Sequence, residues 1–298
     1  MDPPILPPEL ERIIFLYAYK NKLCNGHDVA LVAKRVHEWL SPLLFDVVIS
    51  HFNRDFPVRT NDLSTYQTYG NYIHHLLLAS VGDLDFDQVV NAYVSLCPNL
   101  TNLAIWKRNC RIRLDVLTNL NHLTHLSIDV PYLIYSIHPT VSESDPSVSS
   151  HDTHGEMEQS RETEQVPQAP PPPMFPNLTH LDAMGTPFDT ANANFFSSQL
   201  ATHFPSLTHI GFLHWTAETP SVLNPILSSL QSLKVLVWWR PGPVLSESTI
   251  SPPVDDVRIV SLSTNRLKDW EDWARENGVG VWAVADEIVE RRRSEQAG

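Results

Sequence analysis

A short apolar frame that recurs along the chain constrains the fold more than any other feature of the sequence. In this frame two leucines lie three residues apart, and a further apolar residue usually follows two positions later. The clearest copies are PNLTNLAIW (98–106), NHLTHLSID (121–129), PNLTHLDAM (176–184), PSLTHIGFL (205–213) and QSLKVLVWW (231–239). Weaker copies begin at Ile73 and Ile259. A unit of this kind cannot bury its apolar side alone, so we expect neighbouring units to stack side by side.

The spacing of the copies predicts one strand and one helix in each unit. Frames start at 73, 100, 123, 178, 207, 233 and 259, and all steps but one fall between 23 and 29 residues. Between frames, apolar residues recur at three- and four-residue steps within 86–94, 195–204 and 222–230, which is typical of helices. The pattern predicts an α/β fold, a leucine-rich-repeat-like solenoid with a curved parallel sheet and outer helices.

The long step between 123 and 178 contains an acidic, Pro- and Ser-rich segment at 139–173. It carries seven acidic residues, from Glu143 to Glu164, and only one basic residue, Arg161. Such a composition buries too little apolar surface to offset the entropy of ordering. We therefore expect a disordered insertion between two repeats, and a linker between two separate domains is the alternative.

Both ends of the chain have helical patterns. Leu10, Ile13, Ile14 and Tyr17 lie at helical spacing. A second helix is expected from Asp28 to Leu40 and a short third one from Ser41-Pro42. We take residues 1–50 as a helical segment and residues 51–298 as the repeat domain. Helices within 266–296 are expected to cap the open end of the solenoid, and the N-terminal helices are either a docking segment or another cap.

Composition excludes several classes of function. The formal net charge of −13 disfavours binding to duplex nucleic acid or to an anionic membrane surface. The chain has no run of about 20 apolar residues and no signal peptide, so we expect an intracellular protein. The three cysteines are far apart, and the sequence contains none of the nucleophile, phosphate-loop or metal-site motifs of common enzymes. We expect a protein that is not an enzyme and has no cofactor and no metal.

Two further stretches carry a family resemblance. LPPELERIIFLYAY (6–19) and ALVAKRVHEWLSPLLF (30–45) resemble the F-box segment of fungal F-box and leucine-rich-repeat proteins, and DWEDWARENGVGVWAVADEIVERRR (269–293) resembles their C-terminal segment. The resemblance implies a substrate-recognition subunit of an SCF-type (Skp-cullin-F-box) ubiquitin ligase, monomeric outside its complex. It would bind a Skp-type adaptor protein and an unknown protein target. The implied adaptor-docking residues are Leu6, Pro7, Leu10, Ile13, Ile14, Val32, Val36, Trp39 and Leu40.

The frame also predicts a column of polar residues. Because side chains alternate between the two faces of a strand, residues between the leucines should face the open concave side. The residues just before the second leucine are His75, Asn102, His125, His180 and His209, and then Val235. Because histidine titrates near neutrality, the column could form a pH-responsive contact surface for a partner. Alternatively, it is a solvated filling without function.

Overall fold

The computed structural model describes residues 6–20, 26–52, 63–80, 86–107, 110–130, 133, 173–184, 193–213, 219–242, 246–247, 254–275 and 280–298. The insertion predicted at 139–173 lies outside these ranges, apart from Pro173.

Among the described residues three helices precede the sheet, but their boundaries differ from the prediction. They are α1 (Pro8–Lys20), α2 (Gly26–Ala30) and α3 (Lys34–Leu44). The expected start of a helix at Ser41 is wrong, because Ser41 and Pro42 lie inside α3. The Ser41 hydroxyl donates to the carbonyl oxygen of His37 over 2.7 Å, and Pro42 leaves out only the one backbone bond that its missing N–H would have made.

In the ranges given above, nine strands form one sheet. They are β1 (Val47–Phe52), β2 (His75–Ser80), β3 (Asn102–Trp106), β4 (His125–Asp129), β5 (His180–Met184), β6 (His209–Phe212), β7 (Val235–Pro241), β8 (Ser246–Glu247) and β9 (Ile259–Thr264). The spatial order is β1-β2-β3-β4-β5-β6-β7-β9-β8. Strands β1 to β7 and β9 run parallel to one another, and β8 pairs antiparallel with its neighbour β9. The predicted α/β class with a parallel, solenoid-like sheet is confirmed.

The strand register confirms the leucine frame. The second apolar position of each copy pairs with its counterpart in the next strand, in the order Leu76, Leu103, Leu126, Leu181, Ile210, Leu236 and Ile259. All seven side chains are buried. We call the side of the sheet that carries them the leucine face. Because β4 pairs directly with β5, the repeats on both sides of the insertion belong to one sheet, and a linker between two separate domains is excluded.

Two details of the prediction are wrong. The predicted boundary at residue 50, between the N-terminal helical segment and the repeat domain, falls inside β1, whose residue Val47 already pairs with His75. Ile259 pairs with Leu236 and therefore occupies the second apolar position of its copy, not the first, so this copy begins three residues earlier than predicted. Leu262 consequently lies on the opposite side of the sheet, where it packs with Val260.

Helices cover both sides of the sheet. Helices α4 (Leu63–Tyr69), α5 (Phe86–Ser95), α6 (Leu114–Thr118), α7 (Ala193–His203) and α8 (Thr219–Ser229) pack on the leucine face, where Tyr66, Phe86, Phe196 and Leu223 join its core. The last two helices, α9 (Arg266–Arg275) and α10 (Val281–Ala297), pack on the other side. The expectation that they cap the open end of the solenoid is wrong.

Candidate functional site

The predicted column of polar residues exists on the side opposite the leucine face, which we call the histidine face. The register aligns His75, Asn102, His125, His180, His209 and Val235 across six strands. The rings of His125 and His180 stack with centroids 3.9 Å apart, and those of His180 and His209 stack at 4.1 Å. The sequence frame therefore located the column correctly.

A ladder of threonines holds the column in place. Thr124 and Thr179 precede His125 and His180, and the hydroxyl of each donates to a carbonyl oxygen of the preceding unit over 3.1 Å. The same hydroxyl oxygen lies 2.8 Å from Nδ1 of the following histidine. Each of these carbonyl oxygens also accepts from the backbone N–H groups of the same threonine and histidine. The hydroxyl, the ring and the backbone therefore form one connected hydrogen-bond network at each step of the column.

His209 ends the stack differently. Its Nδ1 lies 2.7 Å from the Thr208 hydroxyl, while its Nε2 lies 3.1 Å from a carboxylate oxygen of Asp286 in α10. A carboxylate only accepts, so Nε2 must donate to it. In the neutral ring Nδ1 then carries no hydrogen, and it faces the Thr208 hydroxyl, which also lies 3.2 Å from the Thr179 carbonyl oxygen. The bond to Asp286 ties the last helix to the sheet.

The histidine face is not an open surface, which corrects the prediction for His75, Asn102, His125, His180 and His209. The ring of Trp273 lies 4.4 Å from that of His125, and the edge of Trp282 meets His180 at 5.1 Å. Asn102 is only 2% exposed and His209 only 7%. The physical reason is that α9 and α10 have apolar sides of their own, including Trp270, that must also be buried. The chain's own helices occupy the place that was expected for a partner.

Burial also changes the titration of the column. Burial, together with a smaller effect of charge on His209 and His75, lowers the pKa of His125 to about 3. The pKa values of His75, His180 and His209 are lowered for the same main reason. The rings are therefore neutral at neutral pH, and this contradicts the hypothesis of a surface that responds to pH near 7.

A charged pair lies beside the column between the sheet and α9. The side chains of Asp182 and Arg266 are 16% and 19% exposed, with Arg266 Nη2 3.8 Å from Asp182 Oδ2. Trp239 Nε1 donates to Asp182 Oδ1 over 2.9 Å, and Arg266 donates to the Ser127 hydroxyl over 3.1 Å. Burial raises the pKa of Asp182 and lowers that of Arg266, and each charge opposes the shift of the other.

Sequence reasoning missed this pair, although one signal was present. Asp182 occupies the strand position at which Ala104, Ser127 and Gly211 lie in neighbouring units, so an acidic residue stands there among small ones. Gly211 provides the space for the bond between Asp182 and Trp239. A Cβ on Gly211 would lie 2.3 Å from the Asp182 carboxylate oxygen and 2.2 Å from the Trp239 nitrogen.

A cleft opens between the histidine face and the last two helices. Its empty space, including the open mouth, is about 500 Å³. Its walls include Asn102, His125, His180, Asp182 and Arg266, and five indole rings. Those rings belong to Trp106, Trp239, Trp270, Trp273 and Trp282. Across the described ranges, no group of three or more His, Cys, Asp or Glu side chains is placed to hold a metal ion.

The second candidate site is an exposed apolar surface on the N-terminal helices. Leu10, Ile13, Ile14 and Tyr17 form one side of α1, which we call the α1 stripe, and each is between 47% and 63% exposed. Leu31 and Val32, which follow α2, are 83% and 67% exposed. Exposed apolar patches are typical of surfaces that bind other proteins, membranes or ligands.

The structure divides the predicted adaptor-docking residues into two groups. Leu6, Pro7, Leu10, Ile13, Ile14 and Val32 are exposed. Val36 and Leu40 are buried, and Trp39 is partly buried against them. Val36 and Leu40 are therefore corrected to core positions, because they form the interior that joins the three helices to each other.

Contacts with the first repeat fix the N-terminal helices to the sheet. Phe45 stacks on Tyr69 with ring centroids 3.9 Å apart, and the Tyr69 hydroxyl lies 3.0 Å from His37 Nε2. The Asp46 carboxylate lies 2.7 Å from His74 Nδ1. The α1 stripe is thus held in a defined position relative to the repeats.

Comparison of the chain with protein-family models, curated proteins and solved structures found no match. Within the part of the chain that the structure describes, no helix combines the length and the apolar character needed to cross a bilayer.

Proposed function

We propose that the chain is a non-catalytic adaptor of an SCF-type ubiquitin ligase. In this proposal the α1 stripe, with Leu31 and Val32, binds a Skp-type adaptor protein, and the repeat domain recruits a target protein. The observation that carries the proposal is that the α1 stripe stays exposed although the other side of α1 is packed in a complete core.

The two sides of α1 support a docking role. Phe15, Leu16 and Tyr19 pack against the core of Ala30, Val36 and Leu40, and the Tyr19 hydroxyl donates to the Leu43 carbonyl. This side holds the helix in place. The α1 stripe on the other side is exposed, and an amphipathic helix commonly binds a partner by placing such a side in an apolar groove. The resemblance to F-box segments supplies the identity of that partner.

The target is expected to contact the repeat domain away from the histidine column. Displacing α9 and α10 would expose the rings of Trp270, Trp273 and Trp282, each of which is 8% exposed, at a cost of about 1.5–3 kcal/mol per large apolar side chain. Helices α9 and α10 are therefore a permanent part of the fold. We place target binding on the remaining surfaces of the repeats.

A second candidate is a repeat scaffold whose N-terminal helices only close the first repeat. The stacking of Phe45 on Tyr69 and the pairing of β1 with β2 favour this function, since both shield the start of the sheet. A cap does not require an exposed apolar surface on α1, which is why the docking role ranks first.

A pull-down of the intact chain with a Skp-type adaptor separates the two functions. Changing Leu10 and Ile13 together to Glu should abolish binding while the far-ultraviolet circular dichroism stays the same. The matched control is Leu63→Glu, which changes an apolar residue of α4 that is 40% exposed, and it should bind like the parent. If the parent does not bind the adaptor, the scaffold function is favoured instead.

A further inference from the structure

The α1 stripe presents enough apolar surface to bind a second copy of the chain. Leu10, Ile13, Ile14 and Tyr17 are each 47–63% exposed, and Leu6, one turn before Leu10, is 47% exposed. At about 200 Å² for a fully exposed large residue, these five residues offer on the order of 550 Å² in each copy. Two such surfaces in contact would bury on the order of 1,100 Å², which lies at the lower end of specific protein interfaces. This area suits a weak dimer that dissociates on dilution.

The stripe is complementary to itself when two copies of α1 run antiparallel. Its midpoint lies between Ile13 and Ile14. A twofold axis through this point brings Ile13 of one copy next to Ile14 of the other, and Leu10 next to Tyr17. Steps of three, four and seven residues are the spacing at which the apolar sides of two packed helices interlock.

The charges beside the stripe favour the same arrangement. Glu9 and Lys20 are both exposed and lie 11 positions apart, which is about three helical turns, so they share one flank of the stripe at opposite ends of α1. A twofold axis perpendicular to the helices places equal flanks against each other. Glu9 of one copy then comes within about 3 Å of the level of Lys20 of the other. A parallel pair would instead bring each charge to the level of its own counterpart.

Helix α1 is already fixed before any association. Arg35 of α3 donates to both carboxylate oxygens of Glu11 over 2.9 and 3.0 Å, and the Tyr19 hydroxyl donates to the Leu43 carbonyl oxygen over 3.1 Å. Little backbone order therefore has to be gained on binding, and this lowers the entropic cost of forming an interface.

We propose that the chain alone forms a symmetric, antiparallel dimer through the α1 stripe. This differs from the monomer that the family resemblance implies. The dimer itself does not depend on the proposed function, and only its consequence for regulation rests on that function. One stripe cannot bind a second copy and a Skp-type adaptor at the same time, so the adaptor separates the dimer.

Analytical ultracentrifugation of the intact chain alone tests the dimer at concentrations from about 1 µM to about 200 µM. The mean mass should rise from 33.7 kDa towards twice that value. Ile14→Glu sets two carboxylates beside the twofold axis and should keep the chain monomeric. The control Leu63→Glu changes an exposed residue of α4 and should dimerise like the parent, and circular dichroism checks that both variants fold. A parent that stays monomeric, or an Ile14→Glu variant that dimerises equally well, overturns the proposal.

A charge exchange tests the antiparallel arrangement. Glu9→Lys sets a cation against Lys20 at both ends of the dimer and should weaken association by about threefold to tenfold. Adding Lys20→Glu recreates the pair in reverse and should restore the parent's affinity. A double variant that associates as weakly as Glu9→Lys contradicts the arrangement.

Adding a Skp-type adaptor to the dimer separates this inference from the proposed function. If both hold, the dimer is replaced by a complex of one chain and one adaptor. An adaptor that binds while the dimer stays intact contradicts the shared use of the stripe. If the adaptor does not bind and Ile14→Glu still prevents dimerisation, the dimer is supported and the proposed function fails.

Discussion

His125 and His180 stack with their ring centroids 3.9 Å apart, although 55 positions separate them in the chain. The strands that carry them are direct neighbours, and Leu126 pairs with Leu181 just beyond the two rings. The acidic insertion has therefore not changed the register of the repeats. The two faces of the sheet continue across it, with leucines on one and the polar column on the other.

Leu181 tests the leucine face. Its side chain is fully buried, so Leu181→Ala should lower the free energy of unfolding by about 2–5 kcal/mol. Leu181→Asp should prevent stable folding, because it buries a charge without a partner. Leu31→Ala is the control, since that side chain is exposed and its loss should change stability by less than about 0.5 kcal/mol. Equal urea midpoints for Leu181→Ala and the parent would contradict the assigned core.

Thr124 tests the threonine ladder. Thr124→Val keeps the shape of the side chain but removes its bonds to the Thr101 carbonyl and to His125 Nδ1. We expect a loss of about 1–3 kcal/mol in the free energy of unfolding, because the partly buried Nδ1 of His125 loses its partner. The Thr101 carbonyl keeps the backbone N–H groups of residues 124 and 125. Thr202→Val removes an exposed bond within α7 and should have little effect. Urea denaturation measures both, and equal losses would show that the ladder does not stabilise the sheet.

The lowered pKa of His125 predicts how stability depends on pH. In the unfolded chain a histidine titrates near 6.5, whereas the pKa of His125 in the folded protein is about 3. The unfolded state therefore binds more protons below pH 6.5. The stabilising contribution is present above that pH and is lost as the pH falls towards 3. Between pH 7 and pH 5 this residue alone should lower the free energy of unfolding by about 2 kcal/mol.

The measurement is urea denaturation at pH 7, 6 and 5. In His125→Gln the decline in stability over this range should be smaller than in the parent by about that amount. His122→Gln, which changes an exposed histidine, should follow the parent. Parallel curves for the parent and His125→Gln would contradict the buried, neutral ring.

Arg266 tests the charged pair under α9. Arg266→Met leaves the largely buried Asp182 without its cation. It should lower the free energy of unfolding by about 2–4 kcal/mol. Adding Asp182→Asn should recover part of this loss, because the remaining charge is then also removed. The control is Arg275→Met, which breaks an exposed pair with Glu271 and should cost less than about 0.5 kcal/mol. A double variant no more stable than Arg266→Met would argue against the pairing.

The repeats could be predicted because their signal is local and periodic. Leu103, Leu126 and Leu181 lie in nearly identical short sequence segments. Because side chains alternate along a strand, each of these leucines lies on the same face of the sheet. The histidine column follows from the same rule. β1 was missed because Val47, Val48 and Ile49 form a short apolar run at the end of a helical segment, and such a run does not by itself distinguish a strand from a helix.

The covering of the histidine face could not be predicted in the same way. The apolar spacing of α9 and α10 predicts that Trp270 and Trp273 are buried, but not which surface buries them. That choice depends on contacts between distant parts of the chain, such as Arg266 with Ser127 and Asp286 with His209. Likewise, the spacing of Val36 and Leu40 fits a docking helix as well as an internal core, and only the packing of α1 against α3 decides between them.

Amide hydrogen exchange of the intact chain, alone and with a Skp-type adaptor, tests the docking role of α1 most directly. We predict slower exchange in α1 and around Leu31 and Val32 when the adaptor is present, with α9 and α10 unchanged. Unchanged exchange across residues 8–32, at adaptor concentrations that saturate an established F-box segment, would contradict the account.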